Sequence, residues 1–137
     1  MTRKTAWILS FSCAALPALA QQSSNDIEML TKHAGTWAVD CAKPGTRLGV
    51  DVKRLTLQSG GKQMATSAPP MAAFSYFGQQ QPPKGFEAAL LGDAANAQLV
   101  FFAMSEPSGP YLTVEADGPT LKLFGKPALA GKFRHCR

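Results

Sequence analysis

Leu55-Thr56-Leu57-Gln58-Ser59-Gly60-Gly61-Lys62-Gln63-Met64-Ala65-Thr66 reads as two short strands folded about a glycine pair. Leu55 and Leu57 alternate with polar neighbours, the pattern of a strand that buries one face. Gly60-Gly61 supplies the positive-φ conformations of a two-residue hairpin turn, which glycine enters without steric cost. Antiparallel pairing is therefore expected here, and the sequence on both sides continues the pattern.

Upstream, Trp37, Val39 and Cys41 alternate with Thr36, Ala38 and Asp40, which predicts a strand with the first three on its buried face. Lys43-Pro44-Gly45 turns the chain. Leu48, Val50 and Val52 form a second alternation whose parity differs from that of Leu55 and Leu57, so a turn or bulge is expected at Lys53 and Arg54. Downstream, strands are expected at residues 72–77, 86–91, 98–104, 111–116, 121–124 and 131–136, each bounded by Gly, Pro, Asp or Asn. Leu99-Val100-Phe101-Phe102-Ala103-Met104 is apolar on both faces and predicts a central strand covered on both sides, with an N-terminal helix as the candidate cover. That helix is read at Asn25-Asp26-Ile27-Glu28: Asn25 as cap, two acids at the positive end, Ile27, Leu30, Thr31 and Ala34 on one face, and Gly35 as the stop. Regular short strands with no helical pattern between them predict an all-β domain, a small antiparallel barrel or a sandwich of about eight strands with a short N-terminal helix.

Residues 1–20 carry Arg3 and Lys4, an apolar run and the ending Pro17-Ala18-Leu19-Ala20, the pattern of a secretory signal peptide cut after Ala20. The run is short of the ~20 residues that a bilayer core requires, and no later segment could span one. A minor alternative makes Cys13 the acylated residue of a lipoprotein. A single domain at residues 21–137 then remains, with periplasmic or secreted localisation. It keeps two cysteines, Cys41 and Cys136, and in an oxidising compartment these are expected to form a disulfide.

Composition excludes several classes of function. The chain of 137 residues is 45% hydrophobic and 17% charged, unlike a disordered acidic tail or a coiled coil. Its formal charge of +5 falls to +3 once Arg3 and Lys4 are set aside, too mild and too evenly spread for a nucleic-acid binder. His33 and His135 are the two histidines, and no His-x-x-x-His or Cys-x-x-Cys spacing suggests a metal site. The carboxylates are scattered, Ser108 in Pro107-Ser108-Gly109-Pro110 lacks a nucleophile elbow, and Gly60-Gly61-Lys62 lacks the spacing of a phosphate loop. His135 and Cys136 are strand neighbours whose side chains point to opposite faces. No enzyme activity and no cofactor are expected.

Gly35-Thr36-Trp37, at the opening of the first strand and after a short helix, resembles the G-x-W start of calycins: lipocalins, avidins and small bacterial protease inhibitors. The resemblance implies an exported β-barrel in which Trp37 closes one end, with Arg134 packed across it as a cation on an aromatic face and Arg137 as the second candidate.

These readings converge on an exported binding protein, most simply a periplasmic inhibitor of an enzyme of protease or lysozyme type. Two loops carry suitable contact residues: Tyr76, Phe77, Gln79, Gln80, Gln81 and Lys84 in one, Glu106, Ser108 and Tyr111 in the other. Alternatives are a calycin-like carrier of a small apolar ligand, lined by Trp37, Phe74, Tyr76, Phe101 and Tyr111, and an envelope-associated structural protein.

Overall fold

The hairpin expected around the glycine pair forms: β3 (Leu55–Ser59) pairs antiparallel with β4 (Lys62–Ala65), and Gly60 and Gly61 have φ of 58° and 77°. The computed structural model describes residues 22–76 and 81–137. The proposed signal peptide with Cys13, and Phe77, Gln79 and Gln80 of the first candidate loop, lie outside the described residues. The remaining strands are β1 (Gly35–Ala38), β2 (Arg47–Val50), β5 (Met71–Ala73), β6 (Phe86–Ala94), β7 (Ala97–Glu106), β8 (Gly109–Ala116) and β9 (Arg134–Cys136). Helices α1 (Ser24–Lys32), α2 (Gly118–Phe124) and α3 (Lys126–Leu129) complete the described chain.

The fold is all-β, built as two antiparallel sheets ordered β4-β3-β2-β1-β9 and β5-β6-β7-β8. The parity change between β2 and β3 is absorbed by a tight turn, in which the Asp51 N–H donates to the Arg54 carbonyl at 3.1 Å. Val50 then faces Leu55 and Leu48 faces Leu57, so both apolar sets share one side. A bridge between Leu112 and Phe133 joins β8 to the residue before β9. Stepping through the antiparallel pairs from that bridge gives β4 and β5 the same direction, so they cannot be joined as a hairpin. The chain crosses there instead: the Thr66 N–H bonds to Leu55 in one sheet at 3.0 Å and the Ser67 N–H to Asp93 in the other at 2.9 Å.

The main core lies between the sheets. Trp37, Leu48, Val50, Leu55 and Leu57 meet Leu90, Leu99, Phe101 and Leu112, and Leu30, Leu129 and Phe133 are buried with them. Each such side chain contributes about 1.5–3 kcal/mol by leaving water. A second cluster, Ala89, Phe102, Met104 and Tyr111, is formed by the alternate residues of β6, β7 and β8, with Tyr76 and Phe86 against it. The apolar run from Leu99 to Met104 is thus covered on both faces, but the second cover comes from Tyr76, Phe86 and Tyr111. Helix α1 packs against β5 and sends Leu30 into the main core.

Other expectations need correction. Helix α1 is capped by Ser23, not Asn25, through a reciprocal pair: Asp26 N–H to Ser23 Oγ at 3.1 Å and Ser23 N–H to Asp26 Oδ2 at 2.8 Å. Its buried positions are Asp26 and Leu30, while Ile27 is 45% exposed, because Asp26 Oδ1 also accepts the Ala72 N–H of β5 and turns that face inward. Strand β1 ends at Ala38, and Val39 is 57% exposed, since Asp40 opens a turn by accepting the N–H groups of Ala42 and Lys43. Residues 121–124 are helical, not a strand: Asp117 caps α2 by accepting the Thr120 N–H at 3.0 Å, and Pro119 suits the first turn. Of the expected strand 72–77, residues 72–73 fall in β5, residues 74–76 lie outside any strand and residue 77 lies outside the described residues; the strand expected at 131–136 shortens to β9. Cys41 and Cys136 form the disulfide, 95 residues apart in sequence. Among the described residues no helix is long and apolar enough to cross a membrane.

Candidate functional site

The described parts of both candidate loops lie at one end of the four-stranded sheet. Residues 74–85 connect β5 to β6, and residues 107–108 connect β7 to β8. Phe86 pairs with Met104, and the Ser105 N–H donates to the Gly85 carbonyl at 2.8 Å, which sets the start of β6 against the approach to the second turn. Gly85 has φ of 89°, and a Cβ there would collide with the Ser105 carbonyl, so this close approach requires glycine.

The second turn is held from outside its own hairpin by the segment leading into β9. Arg134 donates from Nη1 to the carbonyls of Gly109 at 3.1 Å and Pro110 at 3.3 Å, and from Nη2 to Ser108 Oγ at 3.3 Å. The same Nη2 pairs with Glu106 Oε1, while Lys132 Nζ pairs with Glu106 Oε2 at 2.7 Å. Ser108 Oγ donates to Glu106 at 3.0 Å. These donors pull the Glu106 carboxyl down from 4.5 to about 2, Lys132 contributing most and then Arg134. The two cations also lie over the Tyr111 ring, with Lys132 Nζ 4.8 Å and Arg134 Cζ 5.0 Å from its centre. Charge and aromatic contact together fix the turn on a platform of Tyr111, Met104 and Phe102.

In the first loop, Tyr76 meets Phe86 and Phe102 edge to face at 5.3 and 5.6 Å, and Phe86 meets Phe102 at 5.6 Å. Gln81 and Lys84 are exposed. The structure thus brings Tyr76, Glu106, Ser108 and Tyr111 to one end of one sheet, with Gln81 and Lys84 on the adjoining loop. Lys132, Phe86, Phe102 and Met104 belong to this region and were not singled out from sequence. For Lys132 a signal was present, because Lys132-Phe133-Arg134 places two cations on the face opposite a buried aromatic.

Arg134 does not pack on Trp37. In the β1–β9 register Trp37 lies opposite His135 and Ala38 opposite Arg134, so alternation sends the guanidinium to the other face and onto Tyr111. Trp37 is edged instead by His135 at 5.0 Å, and its Nε1–H donates to the His33 carbonyl at 2.9 Å. His33 is 2% exposed, with Nδ1 3.0 Å from the Met29 carbonyl and Nε2 3.7 Å from Glu87, beyond hydrogen-bonding reach. Burial pushes its pKa below the ordinary 6.5.

The five aromatics proposed as a carrier lining do not converge. Trp37 and Phe101 fill the main core, Tyr76 and Tyr111 belong to the opposite face of the sheet, and Phe74 is 52% exposed. Among the described residues no group of three or more His, Cys, Asp or Glu is placed to hold a metal ion. No protein-family model, curated protein or solved structure matches the chain.

Proposed function

We propose that this is an exported, non-catalytic binding protein that inhibits a partner enzyme, of protease or lysozyme type, by presenting residues 74–85 and 106–110 together. The observation that carries the reading is the common placement of these loops, one of them clamped by Arg134 and Lys132 from β9 and its approach. A turn fixed before binding loses little ordering entropy on association, and Tyr and Phe offer contact area at low rotamer cost. The disulfide suits an oxidising compartment, which supports export. A positive net charge works against c-type lysozymes, which are themselves basic, and so favours a protease or another envelope target.

The test exposes the oxidised protein to a protease and lysozyme panel and to periplasmic extract, and measures both the bound species and the residual activity. One panel enzyme is expected to lose activity. Gln81→Ala and Lys84→Ala, both at exposed positions, combined with Ser108→Ala should weaken that inhibition by at least about tenfold, the scale of a lost hot spot, without lowering Tm by more than a few degrees. Inhibition that is indifferent to both loops overturns the assignment. A retained small molecule with no protein partner would instead favour the carrier, and stable fractionation with envelope material would favour a structural role.

A further inference from the structure

Folding gathers cations that are spread along the sequence. In the five-stranded sheet, residues 39–46 join β1 to β2 and Gly60-Gly61 join β3 to β4 at the same end, while residues 51–54 turn β2 into β3 at the other. Helices α2 and α3 are stitched to the first of these ends. Lys62 Nζ donates to the Leu123 carbonyl at 2.9 Å, and Thr46 Oγ1 donates to the Ala128 carbonyl at 2.6 Å and lies 2.9 Å from Ser59 Oγ. Arg47 lines both the hollow that Lys62 borders and the one that Lys43 and Pro127 border. Lys43, Arg47, Lys62, Lys122 and Lys126 therefore share one end of the molecule.

Elsewhere the chain neutralises its cations: Lys32 meets Glu87, and Lys132 and Arg134 meet Glu106. At the α2–α3 end Lys43 has Asp40 at 3.9 Å, but among the described residues the other four meet no carboxylate. Arg47 gives Nη2 to the Lys43 carbonyl at 2.6 Å and Lys62 bonds to that of Leu123, uncharged acceptors that leave the positive charge standing. Asp117, at the start of α2, is turned to the Thr120 and Gln98 N–H groups. The same end leaves apolar side chains in water. Val39, Leu121 and Leu123 are three of the six large apolar residues exposed among the described residues, and Leu121 and Leu123 flank the exposed Lys122 on α2. The helices are nevertheless packed, since Thr120 and Leu129 are buried beneath them.

We propose that this end, built from α2, α3, residues 39–47 and the β3–β4 turn, docks on the anionic surface of a phospholipid bilayer, its cations at the headgroup phosphates and Leu121 and Leu123 in the boundary beneath them. Uncompensated positive charge is complementary to such a surface, and leucines beside a lysine suit an interface that is charged above and apolar below. A soluble polyanion would satisfy the cations and leave the leucines in water. Helix α2 borders the β6–β7 turn, at the far end of the four-stranded sheet from residues 74–85 and 106–110, so attachment leaves both loops facing away from the bilayer. Attachment of this kind is reversed by salt, unlike the stable fractionation of a structural component. It stands whether or not the inhibitory reading holds.

The oxidised protein is floated with vesicles of phosphatidylglycerol and phosphatidylethanolamine, and with vesicles of phosphatidylcholine alone, at low and high salt. Binding to the anionic vesicles is expected to be at least about tenfold stronger and to be reversed by salt. Lys122→Glu with Lys126→Glu should weaken it more than about tenfold. Lys53→Glu with Arg54→Glu makes the same change in net charge at the other end of the five-stranded sheet and should alter it less than about twofold. Leu121→Ser with Leu123→Ser should weaken it by about tenfold with every charge kept. All six positions are exposed, and an unchanged amide spectrum checks each variant's fold. The proposal is overturned if the anionic vesicles bind no better than phosphatidylcholine, or if the two charge reversals weaken binding equally, which would make net charge the cause. Leucine variants that bind as tightly as the parent also overturn it, because the occupant is then a polyanion read by charge alone.

Discussion

Glu106 gathers two cations and a hydroxyl onto one carboxylate, and this has a measurable consequence. A carboxyl held at about 2 rather than 4.5 adds stability that is present above pH 4.5 and is lost as pH falls towards 2. Its NMR titration should have a midpoint near 2, and Lys132→Ala should move that midpoint upward towards 4.5. His33 responds in the opposite chemical sense. Burial favours its neutral form, so the unfolded chain takes up a proton first and stability declines as pH falls below 6.5. His33→Gln should start less stable and show a flatter dependence of Tm on pH across that range. Gly49 tests packing: a Cβ there would strike Thr56 Oγ1, since the two are paired across β2 and β3. Gly49→Ala should cost about 1–3 kcal/mol, and Thr56→Ala in the same chain should restore much of it, measured as coupling in a double-mutant cycle.

Among the elements, α2 hangs on Asp117, which accepts the Thr120 N–H at 3.0 Å and also the Gln98 N–H at 2.8 Å, tying the helix start to β7. Asp117→Ala should cost about 1–2 kcal/mol in urea unfolding, by loss of the cap. The same residue explains why residues 121–124 read as a strand. Leu121 and Leu123 flank the polar Lys122, but four residues satisfy two periodicities, and the cap at Asp117 upstream of them settles the matter. Gly60-Gly61 was legible because the turn chemistry and the flanking alternation agree, and the Leu99 to Met104 run because a strand apolar on both faces needs two covers. The identity of the second cover was not legible, since it depends on which loop folds back. At the candidate site, Tyr111 and Glu106 could be picked out one by one, whereas their meeting with Lys132 and Arg134 depends on the approach to β9 lying beside β8, a contact made between segments distant in the chain.

For the whole molecule, the disulfide closes a loop of 95 residues, and removing it should release about 4–5 kcal/mol of unfolded-state restriction on the loop-entropy model. Cys136→Ser should therefore lower the urea midpoint strongly with little change in the native amide spectrum. The placement of β9 carries a further meaning. One sheet sets β9 beside β1, far apart in sequence, so a ribosome delivers β1 long before this neighbour exists. Until residues 132–136 emerge, the nascent domain can assemble its local hairpins but must leave β1 with a bare flank and Tyr111 without its cations. Pairings of such long sequence separation are slow to form and leave exposed edges open to misassembly. Residues 132–136 thus join the two sheets: a nascent chain that has not yet reached them keeps its hairpins and lacks the neighbour that makes them one fold.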